Sequence, residues 1–505
     1  MVRSRRLLVV AIGGLLAAAI VLRFWTRSDL WFDEALSVNI ARLPLGKIAG
    51  ALRHDGHPPL YYYLLHGWIE LFGIGDVAVR ALSGVFSVAT LPLAWLAGRR
   101  IGGKRVAWLA VIVIATSPFA FRFATEARMY SMVMFLVLAG YLALRNALEE
   151  PTLPWLALVA VITAALALTQ YWDLYLLGLV GAAILVRALR APERADRRTA
   201  RWVLVAMAVG SVAFLAWLPV FVEQLAHTGT PWGEAQFPWV VLPRTLIAFA
   251  GTDQDGEAFV LALLLLLLLL LATFGRGTDR RHIELDLHTQ PVVRWESAAA
   301  FGTLIVGATI SYIGGTTYEP RYAATMFALF ALVIAFGITT FQDARVRTAI
   351  VVIVAVLGFA GGVRNTVTQR TQAGQVAAVI VAEAKPGDVV AYCPDQLGPD
   401  VSRLLRDVPG LHQLTFPDGA RPERVNWTDY LDRVQRADPV AFAHKVLARA
   451  GNATVWYVSA NALNHFEGKC EAVSAALGSA RTGVVRVLPD DSFFEFQAMT
   501  EFRSR

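Results

Sequence analysis

Two adjacent carboxylates, Asp33 and Glu34, follow the first long apolar stretch of the chain in the run Trp31-Phe32-Asp33-Glu34. A carboxylate at the watery end of a membrane bundle is costly to keep near lipid. It also has the chemistry to take a proton from a substrate hydroxyl. Asp33 stands nearer the membrane-embedded end and is the preferred base, with Glu34 the open alternative. Both also suit the first turn of a helix, where the helix dipole favours negative charge.

Three further clusters carry chemistry. His54, Asp55 and His57 combine imidazole and carboxylate, a ligand set that suits zinc or manganese; a locally hydrogen-bonded turn is the favoured reading. Glu126, Arg128 and Tyr130 lie between two apolar stretches. They read either as a hairpin ion pair or as an arginine facing a phosphate, with Glu126 orienting it or binding a metal. Tyr318, Arg321 and Tyr322 precede a later apolar run. Arg321 is a basic residue on a face otherwise poor in them, so it is either a phosphate ligand or a side chain snorkelling to the interface. Gln170-Tyr171-Trp172-Asp173 forms a short turn, and Trp232-Gly233-Glu234 and Asp253-Gln254-Asp255 are weaker candidates for a covering loop.

The elements that position these residues are apolar spans. The 505 residues are 56% hydrophobic and 17% charged, against roughly 25% charged in soluble domains. Windows long enough to cross a bilayer fall near 7–24, 77–97, 106–121, 129–148, 155–171, 174–190, 202–221, 258–274, 298–314, 322–341 and 348–363, about eleven transmembrane helices. The net charge of +7 sits mainly in short loops on one side, such as Arg3, Arg5 and Arg6, or Arg99, Arg100, Lys104 and Arg105. That is an orientation signal and not a nucleic-acid surface. It predicts a cytoplasmic N-terminus, with the first span retained because no small-residue cleavage pattern follows it. The loop 25–76 then faces outward, with a helix starting at Asp33 and an interfacial helix over Leu60–Phe72.

An odd number of spans leaves residues 365–505 outside the cytoplasm. Strand-like runs at 388–392, 453–458 and 483–488, a turn at 489–491 followed by 493–496, and helical periodicity at 402–406 and 439–450 predict a small α/β domain. The expected domains are therefore a membrane module, 1–364, and an extracytoplasmic domain, 365–505. Cys393 and Cys470, the two cysteines of the chain, both fall in this tail, and an even pair in such a compartment favours a disulfide over two buried thiols.

Phe32-Asp33-Glu34-Ala35, His57-Pro58-Pro59-Leu60-Tyr61-Tyr62, Val79-Arg80-Ala81-Leu82-Ser83, Glu126-Ala127-Arg128-Met129-Tyr130 and Pro320-Arg321-Tyr322 occur in an order that resembles the GT-C superfamily of membrane glycosyltransferases. The likeness is greatest to the bacterial relatives of protein O-mannosyltransferases and lipid A aminoarabinose transferases. It implies a GT-C fold, a polyprenyl-phosphate sugar donor and inverting transfer to a cell-envelope acceptor on the outer face of a bacterial-type plasma membrane. It gives Asp33 the base role, Glu126 a place in the pocket together with His57, Tyr130, Tyr318 and Tyr322, and Arg128 and Arg321 the lipid phosphate. Where many relatives have His-Tyr this chain has Gln170-Tyr171, which argues against a metal at that turn. A divalent metal remains a candidate cofactor through His54, Asp55, His57 or Glu126. The competing reading is a flippase or transporter of polyprenyl-linked glycolipid. It predicts ionisable groups at the bilayer midplane or interrupted helices in repeated halves, whereas here they gather at one end of the spans.

Overall fold

The computed structural model describes residues 2–231, 233–251, 256–288, 290–460 and 466–505, with the backbone alone for 2–9. Trp232, the 253–255 cluster and the Arg3, Arg5 and Arg6 side chains named above lie outside these. The chain divides into two compact units. One comprises residues 1–26, 80–219 and 235–367, the other 27–79, 220–234 and 368–505. The last segment of the second unit begins at Thr368, and residues 27–79 of the first loop belong to that same unit.

The first unit is a bundle of apolar helices. Among the described residues eight helices are long and apolar enough to cross a membrane: Asp76–Thr116, Tyr130–Glu149, Trp172–Arg190, Arg194–Leu215, Gly256–Phe274, Arg294–Ile313, Pro320–Ile338 and Ala344–Val367. The helices Val2–Val21 and Leu153–Ala167 account for the remaining expected windows. The windows 77–97 and 106–121 belong to one long helical run, broken where Gly102 and Gly103 leave helical geometry (φ −152° and +70°). Gly103 takes the left-handed conformation that other residues adopt at a cost. One apolar helix, Pro238–Ala250, was not expected; it is short and contains Pro243.

Small residues let these helices approach closely, as membrane packing requires. A side chain at Gly210 would collide with the Ala160 carbonyl, and one at Gly337 with the Leu268 carbonyl. Arg23, at the end of the first span, is buried and bonded internally. Its guanidinium donates to the carbonyls of Ala19 (2.7 Å), Ile114 (2.9 Å) and Ala115 (3.1 Å) and to Ser87 Oγ (3.0 Å). A cation in this position is stable because donors and acceptors match.

The second unit is built on a five-stranded sheet with the order β4-β3-β5-β7-β6. The strands are β3 (Val389–Cys393), β4 (His412–Thr415), β5 (Val455–Ser459), β6 (Thr482–Val487) and β7 (Ala498–Arg503), numbered after a small hairpin of the first unit, β1 (Gly275–Gly277) and β2 (Ile283–Leu285). β3 runs parallel to β4 and β5, while β7 is antiparallel to β5 and β6. Alternate residues of β3 serve opposite faces. Val389, Ala391 and Cys393 pack with Phe442, Val446, Val473 and Leu477. Val390 and Tyr392 pack with Val376, Ile380 and Val401. Helices on both faces explain why β3 is apolar throughout and not alternating.

The strand expectations hold at β3, β5 and β6, and the helix Pro439–Ala450 matches its expected range. Residues 493–496 do not form the strand expected of them; β7 starts at Ala498. Their backbone bonds elsewhere: Glu495 N–H donates to the Arg370 carbonyl (2.8 Å) and Gln372 N–H to the Glu495 carbonyl (3.1 Å). Cys393 and Cys470 form a disulfide between the end of β3 and the helix Lys469–Ala480.

Candidate functional site

In the second unit the first loop folds as three helices, Phe32–Ala41, Leu45–Leu52 and Leu60–Phe72. The first begins where the backbone of Trp31 is extended, and its carbonyl takes the N–H of Glu34 and of Ala35, both at 3.0 Å. Asp33 and Glu34 occupy the first turn but differ in surroundings. Asp33 is partly exposed, whereas Glu34 is buried with its Oε2 3.9 Å from the Arg370 guanidinium, the two side chains being 0% and 1% exposed. Successive helical residues point about 100° apart, so neighbours in sequence meet different environments.

Asp55 anchors the turn after the second helix. It accepts from Tyr62 Oη (2.9 Å), and the same Oδ2 lies 3.0 Å from His57 Nδ1. His54 points elsewhere, with Nδ1 2.9 Å from Thr428 Oγ1. Among the described residues no three His, Cys, Asp or Glu side chains are grouped as a metal site needs. Asp55 and His57 thus share a hydrogen-bonded turn, and His54 is not grouped with them.

In the first unit Glu126 is almost fully buried and accepts from Arg122 Nε at 3.1 Å, one helical turn earlier. Its expected partner Arg128 is also buried, with its guanidinium 5.9 Å from the centre of the Tyr130 ring. Ser83 Oγ fixes the backbone by donating to the Arg128 carbonyl (3.0 Å). Sequence reasoning passed over Arg122 as part of the motif; its spacing of four from Glu126 on a helix was the available signal.

Pro320–Ala323 is a 3₁₀ turn carrying Arg321, whose guanidinium lies 4.0 Å from the Glu319 carboxylate. Trp172 gathers the flanking tyrosines. It stacks on Tyr322 at 5.7 Å and meets Tyr318 at 5.3 Å, while Tyr318 Oη and Thr245 Oγ1 are 2.6 Å apart. Gln170 Nε2 donates to the Tyr322 carbonyl (3.4 Å), and Thr325 Oγ1 to Asp173 (2.6 Å). An aromatic core links this cluster to the Glu126 segment: Phe119 contacts Phe123 (4.6 Å) and Phe327 (4.9 Å), and Phe123 contacts Tyr130 (4.7 Å). The motifs from 120–130, 170–173 and 318–325 are thus brought into one region of the bundle.

Several solved structures share this fold of a polytopic helical bundle with an α/β domain. The crystal structure of ArnT from Cupriavidus metallidurans in the apo state is similar over 97% of both chains, with a TM-score of 0.62 and 14% identity. The same protein bound to undecaprenyl phosphate gives a TM-score of 0.59 at 14% identity and 97% coverage of both. The oligosaccharyltransferase of Archaeoglobus fulgidus, in complex with Zn and sulfate, matches 88% of this chain and 67% of its own, with a TM-score of 0.53 and 11% identity. The family of dolichyl-phosphate-mannose-protein mannosyltransferases matches residues 56–220, a stretch that contains His57, Glu126, Arg128 and Tyr130. No curated protein matches the chain by sequence.

Proposed function

We propose that the protein is an inverting glycosyltransferase that moves a sugar from a polyprenyl-phosphate donor to a hydroxyl of a cell-envelope acceptor on the outer face of the membrane. The observation that carries the reading is the near-complete correspondence of fold with a structure that holds undecaprenyl phosphate. Asp33 is the base, because it is the accessible member of the carboxylate pair while Glu34 is committed to Arg370. The acceptor oxygen attacks the anomeric carbon as its proton passes to Asp33. The bond from that carbon to the phosphate oxygen breaks, and the polyprenyl phosphate leaves with the electron pair. The leaving group is already activated, so the enzyme's work is positioning and proton removal. Arg128 and Arg321 hold the phosphate, where fixed cations stabilise the charge it gains.

Asp33→Asn tests this in purified protein with synthetic lipid-phosphate donors carrying mannose, arabinose or glucose. Turnover should fall by at least about a hundredfold, the lower range for a lost general base, with the melting temperature unchanged. Wild-type turnover in the folded variant would remove Asp33 from the role.

A further inference from the structure

We propose that Glu495 and Asp400 form a carboxyl pair that positions Asp33, gripping the start of its helix from the far end of the chain. This rests on the reading of Asp33 as the base.

The helix Phe32–Ala41 has no side-chain cap from its own N-cap residue: Trp31 stands there and does not cap the first turn. A helix start leaves backbone N–H groups without partners and carries positive partial charge. Glu495 supplies what the local sequence omits, its Oε2 accepting the Phe32 N–H at 3.2 Å across 463 residues. Phe32 immediately precedes Asp33, so this bond fixes the backbone from which the base projects.

Glu495 is itself held. It is hydrogen-bonded to Asp400. Asp400 in turn accepts from Gln497 Nε2 (2.9 Å), Thr371 Oγ1 (3.0 Å) and its own neighbour's backbone, Val401 N–H (2.9 Å). Two carboxyl groups in such contact share a proton, because like charges at close range do not both ionise. Burial pushes both upward, Asp400 to about 6; the neighbouring Asp400 raises Glu495 further, whereas the hydrogen bond with Glu495 draws Asp400 back down.

The same segment grips the loop at further points. Arg370 N–H donates to Ser28 Oγ (2.9 Å), the Arg370 guanidinium faces Glu34, and Phe494 meets the Trp31 ring edge-on at 5.3 Å. Gly374 is bare where the Asp29 carboxylate approaches; a Cβ there would collide with it. From the helix Gly398–Leu404, Arg403 bonds Asp76 (2.9 Å) and the Ile74 carbonyl. The charged groups on the segments that meet here are thus Asp29, Asp33, Glu34, Arg370 and Arg403, and Tyr392 lies close enough to Asp400 to feel its charge. Among the described residues it is Glu495 that accepts from the amide beside the base.

The test compares deuterium uptake over residues 30–36 and steady-state kinetics in full-length Glu495→Ala, Glu495→Gln, Asp400→Asn and Asp33→Asn. Glu495→Ala should speed exchange over 30–36 and lower kcat on the order of a hundredfold, the penalty for about 1 Å of misplacement, with the donor KM unchanged. Glu495→Gln keeps an acceptor oxygen and should restore both. In the wild type, uptake corrected for intrinsic exchange should rise as pH passes the pair's second ionisation, and Asp400→Asn should flatten that response. Wild-type kcat and exchange in Glu495→Ala beside an inactive Asp33→Asn would sink the positioning role alone. An active Asp33→Asn would sink the base assignment instead. Should Glu495→Ala not fold, equal pH responses in wild type and Asp400→Asn overturn the proposal.

Discussion

Asp33 and Glu34 are neighbours with the same chemistry, and burial alone separates them. Glu34 faces a buried arginine, so its removal strands a charge, and breaking such a pair costs about 3 kcal/mol or more. Glu34→Gln should therefore lower the melting temperature, while Asp33→Asn lowers turnover at constant stability; thermal melts beside initial rates read the two apart. Arg321 lies in a turn with the Glu319 carboxylate 4.0 Å from its guanidinium. Arg321→Ala should cost about a hundredfold in kcat, as for one lost oxyanion contact. Arg321→Lys should recover only part of that, since a point charge does not replace a planar fork. The sequence pointed to Asp33, Glu126 and Arg321 because each is a charge at the end of an apolar run. It did not point to Arg370 or Glu495, whose importance comes from partners hundreds of residues away and leaves no local pattern.

At the level of elements, legibility followed length and periodicity. Leu60–Phe72 and Pro439–Ala450 were readable because a single apolar face persists through three turns or more. Pro238–Ala250 was not, since an internal proline and a short run mimic a loop. Residues 493–496 carry alternating aromatic character, yet their backbone pairs with 370–372 and not with the sheet. That wrap brings Glu495 to Asp400 and so gives the unit a pH dependence. The folded state holds a proton on Asp400 up to about 6, against an ordinary carboxyl value of 3.8. The associated stability is complete below about pH 4 and is lost as pH rises through about 6. Warming the protein at pH 5 and at pH 8 (about one unit below and two above that midpoint) should show a lower melting temperature at the higher pH. Asp400→Asn should reduce the difference; an equal drop in both would remove the pair as its source.

At the scale of the molecule, composition alone placed the chain in a membrane, and each expected apolar window overlaps a helix of the bundle. The partition of the chain was harder to read. Linear boundaries suggested a loop belonging to the spans, whereas residues 27–79 and 220–234 complete the tail's unit. Contacts between distant segments decide such a partition, and no composition shift marks them. The disulfide acts at this scale too. It closes a loop with a sequence separation of 77 residues, and constraining the unfolded chain over that length contributes about 4 kcal/mol in the loop-entropy treatment. Reduction, or Cys393→Ser with Cys470→Ser, should lower the tail's melting transition and leave the helical content of the spans in place, as circular dichroism would follow.

The interleaving of the second unit has a consequence in time. Synthesis runs from the N-terminus, and domains fold as their segments emerge. Asp33 precedes the long apolar helices from Asp76 onward and Glu495 follows them, so those helices can be inserted while the base-bearing helix still waits for its cap. A nascent or truncated chain ending near residue 367 would hold the whole bundle and no anchored base. Transfer would then be withheld until the segment around Glu495 has been made, a safeguard against a half-made enzyme consuming lipid-linked sugar.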